Sequence, residues 1–252
     1  MNLLQRTALR KAAIEAGFDV LEDLPGAVLC RSSHAPLVCA AWPNQIGDFF
    51  VALSMPNVVA AIKDALAPVD SPQMPTTLPS MAAVFLVSDT AALERFLNQA
   101  WALSRALPNA LVGRFEQAVA SIGTTEREAT VRQRVGQNLF REGLMALWGG
   151  RCAVTGLEVP ELLRASHAKP WADSNDIERL DVFNGLLLAA HWDAAFDSGL
   201  VTVSPDGRVL ASPVLSDAAW SVLGMSGALK LKLQAAHAPY MAWHRERVFR
   251  MT

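Results

Sequence analysis

The sequence predicts an α+β protein of two domains, an N-terminal α+β domain over residues 1–122 and a C-terminal domain over 123–252. The chain has 252 residues, more than the roughly 100–150 that one ordinary hydrophobic core requires. Apolar residues make up 52% of the chain and charged residues 18%, which is typical of a packed globular protein rather than a disordered one. Short apolar runs of strand type stand beside amphipathic helical stripes.

The first domain is expected to contain several strands separated by turns, together with helices. Turn residues at 25–26 and 32–33 divide the apolar segment 20–42 into strands, and AAVFLVS at 82–88 is another strand. A proline-rich stretch at 67–80 is predicted to be a linker or long loop. Helices are predicted over 3–16, 56–66, 89–106 and 108–122.

No recognisable catalytic motif occurs in this first domain: a phosphate loop, GxGxxG and HExxH are all missing from its sequence. Cys30, His34 and Cys39 are residue types that bind metals. Because free cysteine is so readily buried, two core thiols and a turn histidine are the favoured interpretation. A reader of modified bases, a specificity module and a small-molecule sensor all fit the composition, and the sequence does not choose between them.

Charge, hydropathy and cysteine content indicate where in the cell the protein is expected to work. The net charge is −2, but residues 124–171 carry seven Lys and Arg against five Asp and Glu, so this section is mildly basic. No apolar run approaches the ~20 residues of a membrane-spanning helix, and the N-terminus lacks the apolar centre of a signal peptide. Three scattered cysteines suit a reducing compartment. We therefore expect a cytoplasmic protein without a membrane partner.

A long helix is predicted at the start of the second domain. Thr125 and Glu128 form a capping box, and the helix should run to about 148, where two glycines end it. Arginines recur along it at intervals of seven residues and therefore share one face: Arg127, Arg134 and Arg141. Such a face is either solvated surface or a row of contacts to nucleic-acid phosphates, and both interpretations stay open.

Polar groups suited to metal and proton chemistry concentrate in residues 152–200. An apolar run ending near 166 and another at 185–189 are predicted to be short buried strands, with a polar loop at 169–183 between them. A short helix should follow, so the order is strand, long loop, strand, helix. The polar residues of interest are His167 after the first strand, Asn184 before the second, and His191, Asp193 and Asp197 on the helix.

These residue types fit phosphodiester hydrolysis, which needs an activated water and a cation to neutralise charge on phosphate oxygens. An imidazole such as that of His167 suits a general base at neutral pH. Asp193 suits a hard cation such as Mg²⁺, and Asp197 is four residues further along and on the same helix face. His191 and Asp193 do not share a face, which makes Asp193 the better candidate ligand.

The segments SHxKPW at 166–171, NGLLL at 184–188 and HxDxxFDxG at 191–199 resemble the HNH endonuclease family, and in particular a restriction-type subfamily. The resemblance covers about fifty residues closely. It implies a ββα-metal fold, in which a hairpin and a helix hold one metal ion. It also implies that His167 is the general base, that Asn184 fixes the loop, and that Asp193 stands where a metal-binding His is usual.

The resemblance further implies a set of metal-site residues and a cofactor. Many relatives carry Asp before the base, where this chain has Ser166, and His191 and Asp197 flank the main ligand Asp193. One divalent ion is expected, Mg²⁺ first, with Mn²⁺ and Ni²⁺ as alternatives. A structural zinc, which relatives hold with four cysteines, is not expected, because Cys152 is the only cysteine in this region.

The function predicted from the sequence is a metal-dependent HNH endonuclease that cuts DNA, of restriction or antiviral defence type, with the first domain recognising the target. Two alternatives stay open: a defence nuclease whose first domain senses a small molecule, and a non-catalytic DNA-binding protein on a degenerate HNH scaffold. RNA as substrate and a homo-oligomer also stay open. The candidate nucleic-acid contacts are Arg127, Arg134, Arg141, Arg164 and Lys169.

Overall fold

The computed structural model describes residues 1–44, 47–63, 66–70, 74–107, 110–123, 125–224 and 229–251, without the side chain of residue 126. The chain divides into two compact units, Met1–Leu107 and Pro108–Thr252. The division lies before the boundary expected at 122, because the helix at 110–119 packs against later helices of the second unit. Helices and strands occur in both units, and the predicted α+β class is confirmed. Over the described ranges, no helix is both long and apolar enough to cross a membrane.

The first unit contains a five-stranded antiparallel sheet whose strands neighbour one another in chain order. Its strands are β1 (Val20–Leu24), β2 (Ala27–Arg31), β3 (Cys39–Pro43), β4 (Phe49–Leu53) and β5 (Ala83–Val87). Its helices are α1 (Leu3–Glu15), α2 (Pro56–Ile62) and α3 (Thr90–Ala106). The turns predicted at 25–26 and 32–33 do separate the first three strands. The helix predicted over 56–66 is described as far as its α2 bounds, and residues 64 and 65 lie outside the described residues.

Two cysteines face each other across this sheet. Cys30 in β2 pairs with Cys39 in β3, and both side chains are fully buried. Burial raises the pKa of the Cys39 thiol, with a further contribution from a hydrogen bond with Cys30. His34, in contrast, is exposed. The two thiols therefore pack as core residues, as the sequence favoured.

The second unit begins with two helices, α4 (Ala110–Val119) and α5 (Glu126–Leu147). The capping box predicted at the start of α5 is present, because the Thr125 and Glu128 side chains each accept a hydrogen bond from the other residue's backbone N–H. The helix ends just before Gly149, which adopts a φ of 59°. Helix α5 packs against α4 and against both strands of the following hairpin. It therefore supports the segment that carries the candidate site.

The predicted order of strand, loop, strand and helix is confirmed. Strands β6 (Leu163–His167) and β7 (Gly185–Ala189) form an antiparallel hairpin, and α7 (Ala190–Asp197) follows β7 directly. All five residues of β7 are buried, in agreement with its continuous apolar sequence. The register pairs His167 with Gly185. The end of β6 and the start of β7 therefore lie side by side.

The loop between these strands is more ordered than the sequence predicted. It contains a short helix, α6 (Asp176–Leu180), and 3-10 turns at 171–173 and 182–184. Helix α6 forms because the Asn175 side chain accepts from the Glu178 N–H, while the Glu178 carboxylate accepts from the Asn175 N–H. This capping box can be recognised in the sequence, but the many turn residues around it led to the prediction of a loop without a helix.

Hydrogen bonds to a buried sulfur attach the preceding turn to the hairpin. The Cys152 Sγ accepts from the N–H of Thr155 at 3.4 Å and from the N–H of Ala189 at 3.2 Å.

The chain beyond α7 contains the predicted hairpin, β8 (Val201–Val203) and β9 (Val209–Ala211), then α8 (Asp217–Leu223) and α9 (Ala238–Arg247). Helix α9 packs against β8, so it belongs to the same unit as the β6–β7 hairpin.

Candidate active site

The imidazole of His167 lies at the end of β6 among groups that fix its orientation. Its Nε2 is 3.0 Å from the backbone oxygen of Arg179, and because a carbonyl only accepts, Nε2 must carry the proton. The ring stacks on Phe140 of α5, with centroids 3.7 Å apart and 12° between the planes. Trp171 stands edge-on to it at 5.8 Å. The orientation of the candidate base is therefore set from three sides.

The same surroundings keep this histidine neutral. The pKa of His167 is lowered to about 4: burial is the main cause, the hydrogen bond to the Arg179 carbonyl partly opposes it, and the nearby Arg179 charge adds to the lowering. At neutral pH the imidazole is uncharged, with its proton on Nε2 and a lone pair on Nδ1. Such a group can accept a proton from water. The sequence did not indicate Arg179, because a backbone carbonyl has no residue-type signature.

Asn184 is completely buried and holds the loop between the two strands. Its Oδ1 accepts from the Lys169 N–H at 2.8 Å, and its Nδ2 donates to the Glu178 carbonyl at 2.9 Å. Weaker bonds from Nδ2 reach the Lys169 carbonyl at 3.2 Å and the Ser174 hydroxyl at 3.3 Å. This geometry agrees with the loop-fixing role that the family resemblance implies, and it leaves no side-chain polar atom free for substrate.

The Asp193 carboxylate meets β6 from α7. The Ser166 hydroxyl, which is buried, donates a hydrogen bond to Oδ1 of Asp193. Successive residues of a strand project to opposite faces, so Ser166 faces α7 whereas His167 faces α5. No hydrogen bond joins His167 to Asp193 within the described residues. The imidazole of His167 and the carboxylate of Asp193 therefore flank the end of β6.

The other two residues expected at the metal site both have exposed side chains. Asp197 is one helical turn beyond Asp193, and its pKa is raised to about 6, first by partial desolvation of the carboxylate and then by the Asp193 charge. The His191 side chain is exposed, with its ring 6.5 Å from that of Trp192. The two carboxylates therefore interact electrostatically, while His191 lies towards solvent.

The donor set fits a hard cation. In the part of the chain that the structure describes, no three His, Cys, Asp or Glu side chains gather as a preformed metal site. Mg²⁺ does not require one, because it usually keeps several waters and binds through only one or two carboxylates. Asp193, with Asp197 one turn away and the Ser166 hydroxyl beside it, offers oxygen ligands of this kind. The mutual repulsion of the two carboxylates is what a bound cation would relieve.

The candidate nucleic-acid contacts fall into two groups. Arg127 and Arg134 on α5 have exposed side chains. Lys169 is paired with both carboxylate oxygens of Glu178 at 2.7 Å, a contact that lowers the pKa of Glu178. The guanidinium groups of the remaining two donate to backbone carbonyls: Arg141 to Pro160 and Leu163, and Arg164 to Glu161 and Leu163. Within the described residues, only Arg127 and Arg134 of these five make no intramolecular side-chain hydrogen bond or ion pair.

Comparison with known proteins agrees with this geometry. Residues 152–204 match the family model described as HNH endonuclease. The matched segment contains the hairpin, α7 and every residue considered above for proton or metal chemistry. The chain therefore carries an HNH endonuclease domain, and the enzyme class of such a domain is phosphodiester hydrolase.

A solved structure described as "Modification dependent TagI restriction endonuclease" also aligns with the chain. The identity is 20% and the TM-score 0.31, over 42% of this chain and 36% of that one. The alignment thus spans little more than a third of that protein. No curated protein matches the chain. The family assignment consequently rests on the family model and the residues it covers.

Proposed function

We propose that the chain, with its HNH endonuclease domain at residues 152–204, is a metal-dependent endonuclease that hydrolyses DNA phosphodiester bonds. HNH nucleases generally use a divalent metal, and Mg²⁺ is the ion we propose, with Mn²⁺ and Ni²⁺ as alternatives. The observation that carries the proposal is the end of β6. There the neutral imidazole of His167 is held by the Arg179 carbonyl. The preceding residue, Ser166, donates its hydroxyl hydrogen bond to the carboxylate of Asp193.

The residues of the site divide the chemistry between them. His167 holds its proton on Nε2 and accepts another at Nδ1 from the attacking water, while the Arg179 carbonyl stabilises the charge that forms on the ring. Asn184 keeps the loop in the shape that places this carbonyl. Asp193, with Ser166 and Asp197, would hold the cation. When bound, the cation supplies charge neutralisation at the phosphate and help for the leaving oxygen.

Cleavage by the purified full chain tests this proposal. Plain and base-modified plasmid DNA would be incubated with the protein in Mg²⁺, Mn²⁺ or Ni²⁺, and nicked and linear products separated on gels. We expect metal-dependent products from the unaltered protein and from His34→Ala, an exposed histidine in the first unit. His167→Ala should stay folded and retain DNA but lose cleavage.

Two results would overturn the proposal. Full cleavage by His167→Ala would remove the proposed mechanism. Retention of DNA without nicking in any of the three metals would point instead to a DNA-binding protein on a degenerate HNH scaffold. An RNA substrate in parallel reactions separates a deoxyribonuclease from a nuclease that accepts both.

For the first unit we propose target recognition in a restriction or defence setting. Supporting this, the unit is compact and its sequence lacks a catalytic motif, so a binding or control role suits it. The inactive His167→Ala chain allows the test, because retention of plain and modified DNA can be compared without cleavage. Preference for one modified form supports target reading. Equal retention, with cleavage appearing only when a small signalling ligand is added, would favour a sensor.

A further inference from the structure

We infer that residues 136–141 of α5 belong to the active site and position its base, although they lie outside the segment 152–204 that matches the family. Phe140 and Arg141 act here as positioning residues, and Gly136 makes room for a third contact. The inference rests on the proposed function, because it assigns these residues to His167 as the base. It also changes the role expected for Arg141, from a phosphate contact to an internal anchor.

Phe140 stacks directly on the proposed base. Its ring lies 3.7 Å from the His167 ring and nearly parallel to it, and its side chain is only 1% exposed. The tip of the same ring abuts the hairpin: a Cβ on Gly185, the strand partner of His167, would lie 2.5 Å from Cζ of Phe140. The phenyl ring therefore packs closely against both the imidazole and the backbone of Gly185. So placed, it restricts rotation of the imidazole about its χ2 bond.

The position of Trp171, the second ring beside His167, depends on a glycine of the same helix. Trp171 stands edge-on to His167, with 86° between the ring planes. A Cβ on Gly136 would lie 2.5 Å from Cη2 of Trp171, closer than any side chain allows, so the tryptophan reaches its position because residue 136 lacks a side chain. Helix α5 thus determines the positions of both rings that contact the imidazole.

Arg141 fixes the helix to the strand that carries the base. Its two terminal nitrogens donate to the carbonyls of Leu163 and Pro160, both at 2.7 Å. Leu163 is the first residue of β6, whose last residue is His167, and Pro160 is in the 3-10 turn just before the strand. A guanidinium donates through several N–H groups in a fixed plane, so it holds two acceptors in a defined geometry that an ammonium does not reproduce. The anchor and the stacked ring are adjacent in sequence, and both set the position of β6 against α5.

The consequence concerns turnover rather than substrate binding. If the stack or the anchor is lost, the imidazole can rotate and its Nδ1 no longer points consistently towards water. Misplacement of a reacting group by about 1 Å costs on the order of 100-fold in rate. Since neither side chain is free to contact DNA, KM should change little, and the loss should fall on kcat.

The first experiment compares Phe140→Leu with Leu144→Ala in the full chain. Leu144 is also fully buried on α5, so its truncation tests general loosening of the helix. We expect Phe140→Leu to lower kcat by about 10- to 100-fold with KM within about twofold, and Leu144→Ala to leave kcat near the unaltered value. Nitrogen-15 NMR near neutral pH should show the Nε2-protonated tautomer of His167, replaced by a mixture of tautomers only in Phe140→Leu.

The second experiment separates an anchor from a phosphate contact. Arg141→Lys keeps the positive charge but loses the planar pair of donors, whereas Arg141→Gln loses both. For an anchor, both variants lower kcat by about 10-fold, while DNA affinity and its dependence on salt stay unchanged. Full activity of Arg141→Lys, together with weaker and less salt-dependent DNA binding by Arg141→Gln, would overturn the inference for Arg141.

Different assay results would show that the inference is wrong and that the proposed function is wrong. If His167→Ala is inactive but Phe140→Leu equals Leu144→Ala in kcat and in the tautomer signal, the inference is wrong and the nuclease mechanism stands. If His167→Ala cleaves at the full rate, histidine 167 is not the base and both are wrong.

Discussion

The side-chain oxygen of Asn184 accepts a hydrogen bond from the backbone N–H of Lys169 at 2.8 Å, and its amide donates to the carbonyl of the same residue at 3.2 Å. One buried side-chain amide therefore binds the backbone of Lys169 in the manner of a strand partner, two residues beyond the last register pair of the hairpin. A further bond to the Glu178 carbonyl ties the middle of α6 to the same amide. The loop whose Arg179 carbonyl meets the His167 ring is consequently shaped by Asn184.

We expect Asn184→Ala to lower the free energy of unfolding of the second unit by about 3 kcal/mol, because buried backbone groups lose their partners. Urea unfolding measures this loss. Asn175→Ala, which removes the exposed cap of α6 in the same loop, is the matched control and should cost about 1 kcal/mol. Equal losses in the two variants would show that Asn184 does not hold the loop as described.

Two helical glycines should respond in opposite ways to alanine. Gly113 in α4 has no heavy atom within 4 Å of an added Cβ, so Gly113→Ala should stabilise the protein by up to about 1 kcal/mol through helix propensity. Gly136→Ala adds a Cβ 2.5 Å from the Trp171 ring and should instead destabilise it by about 1–3 kcal/mol.

Thermal unfolding and cleavage assays on the two variants check this pair. Gly136→Ala should also lower kcat, since Trp171 moves away from the base, whereas Gly113→Ala should cleave normally. A gain in stability with full activity in both variants would contradict the close approach of Trp171 to α5.

The charge of Asp193 should influence the titration of Asp197 in metal-free protein. Partial desolvation and then the Asp193 charge raise the pKa of Asp197 to about 6. Asp193→Asn removes the second cause, so the pKa of Asp197 should fall below about 6 while staying above its ordinary value, since the desolvation remains. Carbon-13 NMR titration of the Asp197 carboxyl measures this pKa, and Asp206→Asn is the control variant. An unchanged pKa in Asp193→Asn would show that the two groups are not coupled.

Two buried histidines should make the protein sensitive to mild acid. His237 and His244 are each 1% exposed, and burial lowers the pKa of both to about 4. An unfolded histidine titrates near ~6.5, so between pH ~6.5 and ~4 the unfolded chain binds protons that the folded chain does not. Stability is therefore full above pH ~6.5 and is lost as the pH falls.

The expected loss is on the order of 3 kcal/mol for each histidine by pH ~4, and urea unfolding across this range measures it. His244→Gln should reduce the slope of stability against pH, although it also lowers stability by removing the bond to the Phe196 carbonyl. His34→Gln, at an exposed position, is the control for slope. Unfolding free energies that do not change between pH ~6.5 and ~4 would contradict the burial of these imidazoles.

Local rules account for the parts of the structure that the sequence predicted. Apolar runs bounded by turn residues gave β6 and β7, capping chemistry gave the start of α5, and the four-residue interval put Asp193 and Asp197 on one face of α7. Each depends on residues that are neighbours in the chain. The missed helix α6 obeys the same rule, since its Asn175 and Glu178 caps are three residues apart.

The amino-acid sequence by itself determined the order of elements, the position of His167 at the end of a strand, and the family to which that stretch belongs. Only the tertiary structure decided what surrounds the imidazole: the Phe140 ring, the Arg179 carbonyl and the anchor formed by Arg141. The physical reason is that these contacts join segments far apart in the chain. Their geometry follows from how α5 packs on the hairpin, and no local periodicity or residue type encodes which carbonyl or ring will meet the base.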